Sequence, residues 1–138
     1  MKENFDRIVI PVDNTEASKN AVKKGAFLAK TLGIKVEIIT VNDTHQFMSS
    51  VVLEEKLKKE AQAFLEDFKK IAEEFGVKIE TQLIIGKPAE EIVKHAKEND
   101  LIILGHHEKT KGLDKFMMGS ISRDVVRDAP CSVLVMKS

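Results

Sequence analysis

The chain has 138 residues, with 22 lysines and arginines against 22 aspartates and glutamates, and a single cysteine, Cys131. The length predicts one domain spanning residues 1–138, and the zero net charge argues against nucleic acid as the main partner, because nucleic-acid-binding domains carry a basic surplus. One cysteine excludes an internal disulfide, and no apolar run is long enough for a signal segment or a bilayer span. We therefore expect a cytoplasmic protein with no membrane association.

The first half of the chain alternates apolar runs with helical periodicity. Residues 8–12 are rich in β-branched side chains on both alternating sets, which predicts a strand that is covered on two faces. Residues 13–15 supply an N-cap for a helix that runs to Leu32, and Gly33 ends that helix. Residues 35–41 predict the second strand.

The second half continues the same alternation. A long amphipathic helix over about residues 52–75 carries an apolar stripe, which we interpret as core-facing rather than as a coiled-coil seam. Shorter segments follow: a strand over 78–85, a helix opening at Pro88, a strand over 100–104, a helix opening at Ser120 and a strand over 132–136. This alternation predicts an α/β fold: an open five-stranded parallel sheet with helices on both faces, Rossmann-like. We expect the strand order 3-2-1-4-5, in which the first and fourth strands are central neighbours.

The stretch after the fourth strand is the clearest candidate for a ligand site. The strand ends in Gly105, a polar loop follows, and Gly119 precedes a helix that opens through Ser120. A strand, a glycine loop and a helix N-terminus together hold phosphate, because backbone N–H groups and the positive end of the helix dipole point at the anion. Such a crevice lies at the carboxyl ends of the strands, where residues 11–13 and 41–43 would also meet.

Other ligand and reaction classes are disfavoured by what the sequence lacks. It has no G-x-G-x-x-G dinucleotide fingerprint and no G-x-x-x-x-G-K-[ST] phosphate loop, and Asp13 stands without the acidic cluster of a phospho-receiver. His106 and His107 are adjacent but lack acidic or cysteine partners at a metal-site spacing, and no catalytic constellation stands out. We interpret His95 as a helix-surface residue and Cys131 as a small core residue rather than a reactive thiol.

The whole chain resembles the universal stress protein family, of the ATP-binding type. The family pattern after the fourth strand reads Gly-x2-Gly-x9-Gly-[Ser/Thr], and the chain has Gly-His-His-Glu at residues 105–108 and Gly-Ser-Ile-Ser at residues 119–122. Further blocks agree in order and spacing, at residues 8–13, 41, 86–91 and 130–135. The chain departs from the pattern twice: Glu108 stands at the second glycine, and ten residues rather than nine separate it from Gly119.

The resemblance implies a nucleotide site and an assembly. Its site positions are Pro11, Val12 and Val41 around adenine, Leu104 and Gly105 on the ribose side, His107 in the phosphate loop, and Gly119, Ser120, Ile121 and Ser122 around the phosphates. Asp13 would lie near the ribose and phosphates, and would hold Mg²⁺ together with the bound nucleotide. The implied ligand is ATP or AMP, bound by a regulatory protein of the stress response with at most slow ATP hydrolysis. The family also implies a homodimer that pairs through the strand over residues 132–136.

The residues themselves leave alternatives open. Asp13 and Ser120 are also typical helix caps, and the two glycines of the loop are also typical turn residues. A carboxylate at Glu108 is repulsive toward a triphosphate, although Lys109 and Lys111 would offset part of its charge. Glu108 therefore favours a second hypothesis, a dimeric interaction module of the same fold that binds no nucleotide, whereas the intact run at residues 119–122 favours nucleotide binding.

Overall fold

The computed structural model describes residues 3–43, 50–106 and 119–137. Within these residues, strands and helices alternate along the chain as the sequence predicts. In chain order they are β1 (Arg7–Pro11), α1 (Glu16–Leu32), β2 (Lys35–Asn42), α2 (Val51–Glu73), β3 (Ile79–Ile85), α3 (Pro88–His95), β4 (Asp100–His106), α4 (Ser120–Asp128) and β5 (Ser132–Lys137).

The strands form one five-stranded sheet with the order β3-β2-β1-β4-β5. Neighbouring strands of this sheet are parallel, and β1 lies between β2 and β4, with Ile10 opposite Ile38 and Ile8 opposite Leu101. The fold class and strand order predicted from the sequence are confirmed. Because parallel strands need crossover connections, α1 to α4 cover the two faces of the sheet.

Two apolar cores, one on each face, explain why β1 is apolar at every position from Ile8 to Ile10. Ile8 and Ile10 belong to a core with residues of α1 and α2, whereas Val9 belongs to a core with Ile92 of α3 and Val125 of α4. Adjacent side chains of a strand point to opposite faces, so a central strand needs apolar residues on both. The apolar stripe of α2 is core-facing, as predicted, rather than a coiled-coil seam.

The ends of α1 follow the local sequence signals. The Thr15 side chain accepts a hydrogen bond from the Ser18 N–H as the N-cap, and Gly33 ends the helix in the left-handed region at φ 71°. An L-residue adopts that conformation only with strain, which is why glycine stands there. In the middle of α1, a Cβ on Gly25 would lie 2.5 Å from Cδ1 of Ile10, so glycine allows the helix to pack closely on the sheet.

The clearest difference from the sequence prediction lies at the end of β4. This strand continues through Gly105 to His106 instead of stopping at Leu104, because Gly105 pairs with Met136 and His106 pairs with Lys137 of β5. Gly105 is therefore a strand residue, and the interpretation of it as a plain turn residue is wrong.

Candidate functional site

A cavity of about 500 Å³ opens at the carboxyl ends of β1, β2 and β4. It is lined by every predicted site residue that the structure describes: Pro11, Val12, Asp13, Val41, Leu104, Gly105, Gly119, Ser120, Ile121 and Ser122. His107, Glu108, Lys109 and Lys111 lie outside the described residues. Residues from both ends of the chain therefore meet in one place, as the rule for open α/β sheets predicts.

Sequence reasoning missed other residues that line the same cavity. These are Asn14, Ser18, Thr40, Phe64, Pro88 and Ile92, whereas Asn42 belongs to the run 41–43 that the sequence places there. Asn14 and Thr40 are next to predicted site residues, so the strand-end rule could have found them. Phe64 belongs to the apolar stripe of α2, and no local signal separates a core position from a cavity wall.

Asp13 is held by the first turn of α1. The Ser18 hydroxyl donates to Oδ1 of Asp13 at 2.8 Å and accepts from the Asp13 N–H at 2.9 Å, and the Thr15 hydroxyl donates to the same Oδ1. Ser18 is buried, whereas Asp13 is exposed. Thr15 is the N-cap of α1, so the interpretation of Asp13 as that cap is wrong. The hydroxyl groups instead fix the Asp13 carboxylate at the rim of the cavity.

The ends of β1 and β2 are tied together beneath the cavity. The buried Thr40 hydroxyl donates to the carbonyl of Val12 at 2.8 Å, and the Val12 N–H donates to the carbonyl of Ile39 at 2.8 Å. The carbonyl of Asn42 accepts from the Gly86 N–H at 3.0 Å, at the turn that leads into α3. These hydrogen bonds fix the backbone of the lining residues at the carboxyl ends of β1 and β2.

The two glycines of the predicted loop, Gly105 and Gly119, differ in whether the surrounding packing requires a residue without a Cβ. A Cβ on Gly105 would lie 2.5 Å from the backbone oxygen of Ala17, so glycine is needed for α1 to approach β4. A Cβ on Gly119 would meet nothing within 4 Å among the described residues, and the φ of Gly119 is −61°. The packing of the described residues around Gly119 therefore gives no reason for glycine there.

The N-terminus of α4 opens toward the cavity. Gly119 is the N-cap, and within the described part of the chain no side chain makes a capping hydrogen bond there. The interpretation of Ser120 as the cap is therefore wrong, since Ser120 is the first residue of the helix. The first N–H groups of a helix have no partner inside the helix, and together with the dipole they favour an anion.

The lining of the cavity combines two kinds of chemical group. Val41, Phe64 and Ile92 present apolar surface, whereas Asp13, Thr40 and Asn42 are polar. Ser120 and Ser122, at the start of α4, line the same cavity. Such a combination suits a ligand that carries both a flat apolar group and an anion.

A cluster of charges lies outside this cavity, near the amino ends of the strands. Arg7 donates to Oδ1 of Asp100 through Nε at 2.9 Å and to Oδ2 through Nη2 at 3.0 Å, and its Nη1 lies 3.1 Å from Glu37. The hydrogen bond that Arg7 donates to Asp100 raises the pKa of the Arg7 guanidinium above its ordinary value. His95 contacts the Glu37 carboxylate. The interpretation of His95 as a helix-surface residue is wrong, because its side chain is 18% exposed and closes this cluster.

Two further observations bear on other functions. Burial raises the pKa of the half-buried Cys131 thiol, which disfavours the reactive thiolate. In the part of the chain that the structure describes, no three His, Cys, Asp or Glu side chains are grouped as metal ligands. None of the helices in that part combines the length and the apolar character needed to cross a membrane.

Comparisons with known proteins agree with this architecture. The model of the universal stress protein family matches residues 4–137. Universal stress protein MJ0531 of Methanocaldococcus jannaschii is 40% identical over 141 residues, covering 96% of this chain and 82% of that protein. The solved structure of hypothetical protein MJ0577 superposes with a TM-score of 0.80 at 31% identity, covering 97% of this chain and 96% of that one.

Two solved structures with bound ligands share the fold. A universal stress protein in complex with cAMP has a TM-score of 0.76 at 20% identity and covers 98% of each chain. The universal stress protein from Archaeoglobus fulgidus in complex with dAMP has a TM-score of 0.67 at 22% identity, covering 95% of this chain and 97% of that one. At these identities the likeness establishes the fold alone.

Proposed function

The chain belongs to the universal stress protein family, and on that premise we propose that it binds an adenine nucleotide, AMP or ATP, in the cavity at the carboxyl ends of β1, β2 and β4. The observation that carries the proposal is a single cavity that is lined both by apolar side chains and by the N-terminus of α4. We further propose that the protein is regulatory, with at most slow ATP hydrolysis, because Asp13 is the only ionisable side chain among its described lining residues.

The lining residues suit the parts of the nucleotide. The apolar surface next to Val41 would take the neutral, flat adenine, with backbone groups of Val41 facing the edge of the base. The phosphates would lie at the start of α4, where backbone N–H groups and the hydroxyls of Ser120 and Ser122 would donate hydrogen bonds. Leu104 and Gly105, which also line the cavity, would face the ribose.

The relatives suggest which nucleotides to test first. The two ligand-bound proteins of this fold were crystallised with cAMP and with dAMP. Both ligands combine adenine with one phosphate, which supports AMP as a probe beside ATP.

Mg²⁺ would bind only together with the nucleotide. Magnesium is commonly held by one or two carboxylates, phosphate oxygens and waters rather than by a cage of protein ligands. The exposed Asp13 carboxylate, fixed at the rim by Ser18, fits such a shared site. The residues present therefore suit a nucleotide-bound magnesium ion.

Calorimetric titration of the purified protein with AMP and ATP tests the proposed function. We expect one nucleotide per chain, and weaker binding of the pyrimidine nucleotide CMP. Failure to bind either adenine nucleotide at millimolar concentration would overturn the proposal and favour the interaction module that binds no nucleotide.

We also propose that residues 1–138 form one domain and that two such chains associate through β5. Among the described residues, β5 is an edge strand of the sheet, with β4 as its neighbour on one side and no strand on the other. Leu134 on it is 37% exposed, and an apolar edge strand is normally covered. A twofold pairing of β5 with its copy would cover it. Light scattering at micromolar concentration should give the mass of a dimer, and a monomeric mass would contradict this proposal.

A further inference from the structure

Phe64 is the large aromatic residue of α2 that lines the cavity. Its neighbours in the apolar stripe of the helix, Ala61, Leu65 and Phe68, are buried, whereas Phe64 is half-buried. A ring at the boundary between the core and the cavity presents part of its surface to whatever occupies the cavity. Phe64 therefore belongs to the apolar stripe of α2 by sequence, but unlike its buried neighbours it can contact a ligand.

The ring of Phe64 is held in place from behind. Phe68, one turn further along α2, packs against it edge to face, with ring centroids 6.1 Å apart and an interplanar angle of 65°. Phe68 is only 5% exposed, so the supporting ring is fixed in the core. A ring supported in this way loses little freedom when a ligand packs on it, which makes it an effective contact surface.

The cavity also has an aliphatic lining from the other face of the sheet. Phe64 packs against the core beneath α1 and α2, whereas Ile92 of α3 belongs to the core beneath α3 and α4, and both line the cavity. Pro88, at the start of α3, is a further apolar lining residue. The cavity thus offers both aromatic and aliphatic surface to a flat uncharged ring.

We propose that Phe64 is a specificity-determining residue that packs against the base of the bound nucleotide and favours purines over pyrimidines. This inference rests on the proposed function. Stacking of a base on an aromatic side chain is favourable for every base, and it grows with the overlapping area. A purine has two fused rings and a pyrimidine has one, so the purine gains more from this wall.

The chain offers a direct optical test, because it contains no tryptophan and no tyrosine. Phe64→Trp therefore introduces a single reporter at the proposed contact. The matched control is Phe75→Trp, since Phe75 is also half-buried and packs on the same core but does not line the cavity. We expect AMP to change the fluorescence of the Phe64→Trp protein, ribose 5-phosphate to leave it nearly unchanged, and the Phe75→Trp protein to respond to neither.

Affinity provides the second measurement. Phe64→Leu should raise the Kd for AMP about tenfold, should raise the Kd for CMP less, and should leave that for ribose 5-phosphate unchanged. Phe75→Leu, with the same loss of a half-buried ring, should leave all three affinities unchanged. Thermal unfolding of each variant establishes that it is folded, and the Phe64→Trp reporter decides the question if Phe64→Leu does not fold.

The outcomes separate this inference from the proposed function. If the wild-type protein binds AMP but Phe64→Leu leaves the preference for AMP over CMP unchanged, or the Phe64→Trp fluorescence ignores AMP, then Phe64 does not contact the base and only this inference is overturned. If the wild-type protein binds neither AMP nor ribose 5-phosphate, then the proposed function fails and this inference fails with it.

Discussion

The same three strands, β1, β2 and β4, supply polar groups to two sites that behave in opposite ways. Near their amino ends, Arg7 donates hydrogen bonds to Glu37 and Asp100, and Asp100 is 2% exposed. At their carboxyl ends, the exposed Asp13 carboxylate and the start of α4, which no described side chain caps, line a cavity. Polar groups that are buried against one another hold the fold, and polar groups that line a cavity can contact a ligand.

This difference predicts that stability and ligand binding can be changed separately. At the amino ends of the strands, which we call the closed end, removing one charged group leaves its partner buried without a counter-charge. The effect should therefore be measured in the free energy of unfolding. A group at the open end has water as its alternative partner, so its removal should be measured mainly in the affinity for a nucleotide.

The largest effect is expected from Arg7→Met. Removing the guanidinium leaves the Asp100 carboxylate buried without its bidentate partner, which should lower the free energy of unfolding by about 3 kcal/mol. Urea denaturation measures this loss. The folded variant should keep its affinity for AMP, because Arg7 does not line the cavity.

The control for Arg7→Met is Lys35→Met, at the position opposite Arg7 in the register of β1 and β2. Lys35 lies 3.9 Å from Glu80, and both side chains are about half exposed. Exposed pairs contribute little, so this variant should lose no more than about 1 kcal/mol. Equal losses in the two variants would contradict the description of the amino end as closed.

The second prediction compares the two glycines of the loop. Gly105→Ala places a methyl group 2.5 Å from the backbone oxygen of Ala17, so α1 and β4 must move apart, which should lower the free energy of unfolding by about 2 kcal/mol. Gly119→Ala meets open space and should cost less than about 1 kcal/mol, even counting the poorer N-cap.

In ligand binding the order of the two variants should be reversed, with the larger loss of affinity in Gly119→Ala. A methyl group on Gly119 lies where the phosphates would approach the backbone of α4, so Gly119→Ala should weaken AMP binding about tenfold, or about 1.4 kcal/mol. Calorimetric titration of both variants gives the comparison. A Gly119→Ala protein with unchanged affinity would remove the start of α4 from the proposed phosphate site.

The fold and the outline of the site could be predicted from local signals. The Thr15 cap, the Gly33 stop and the apolar run of β1 each act within a few residues, and the rule for strand ends then brings Val12, Val41 and Gly105 together. In the described part of the chain, these signals give the alternation of strands and helices, and the strand-end rule gives the position of the cavity.

What could not be predicted depends on long-range geometry. Arg7 and Asp100 are 93 positions apart, and nothing local marks them as partners. The position of His95 in the helical pattern of α3 predicts a surface residue, but the fold places its side chain in contact with Glu37 of β2. The orientation of α2, which no pattern in its own stripe gives, decides that Phe64 lines the cavity while Phe68 is buried.

The third prediction concerns Asp13, the charged residue of the open end. Asp13→Ala removes the acceptor of the Ser18 and Thr15 hydroxyls and should lower the free energy of unfolding by about 1 kcal/mol. If Asp13 also binds the nucleotide's magnesium ion, ATP affinity should fall about tenfold with Mg²⁺ present and less without it. Titration in both conditions measures this, and an equal loss in the two would argue against the metal role.

The smallest effect is expected at Glu108, which lies outside the described residues and is placed by the family pattern alone. Its carboxylate stands at a position where the family pattern has a glycine of the phosphate loop. Repulsion should penalise ATP more than AMP, because only the triphosphate extends its full charge into that loop, and Lys109 and Lys111 offset part of the penalty. Glu108→Gly should therefore tighten ATP binding by about 1 kcal/mol and AMP binding by less. Lys109→Gly is a suitable control, since removing a positive charge from the same loop should weaken ATP binding. If Glu108→Gly improves the affinity for AMP as much as that for ATP, or improves neither, the carboxylate does not face the phosphates. The nucleotide site would then be formed without a contribution from Glu108.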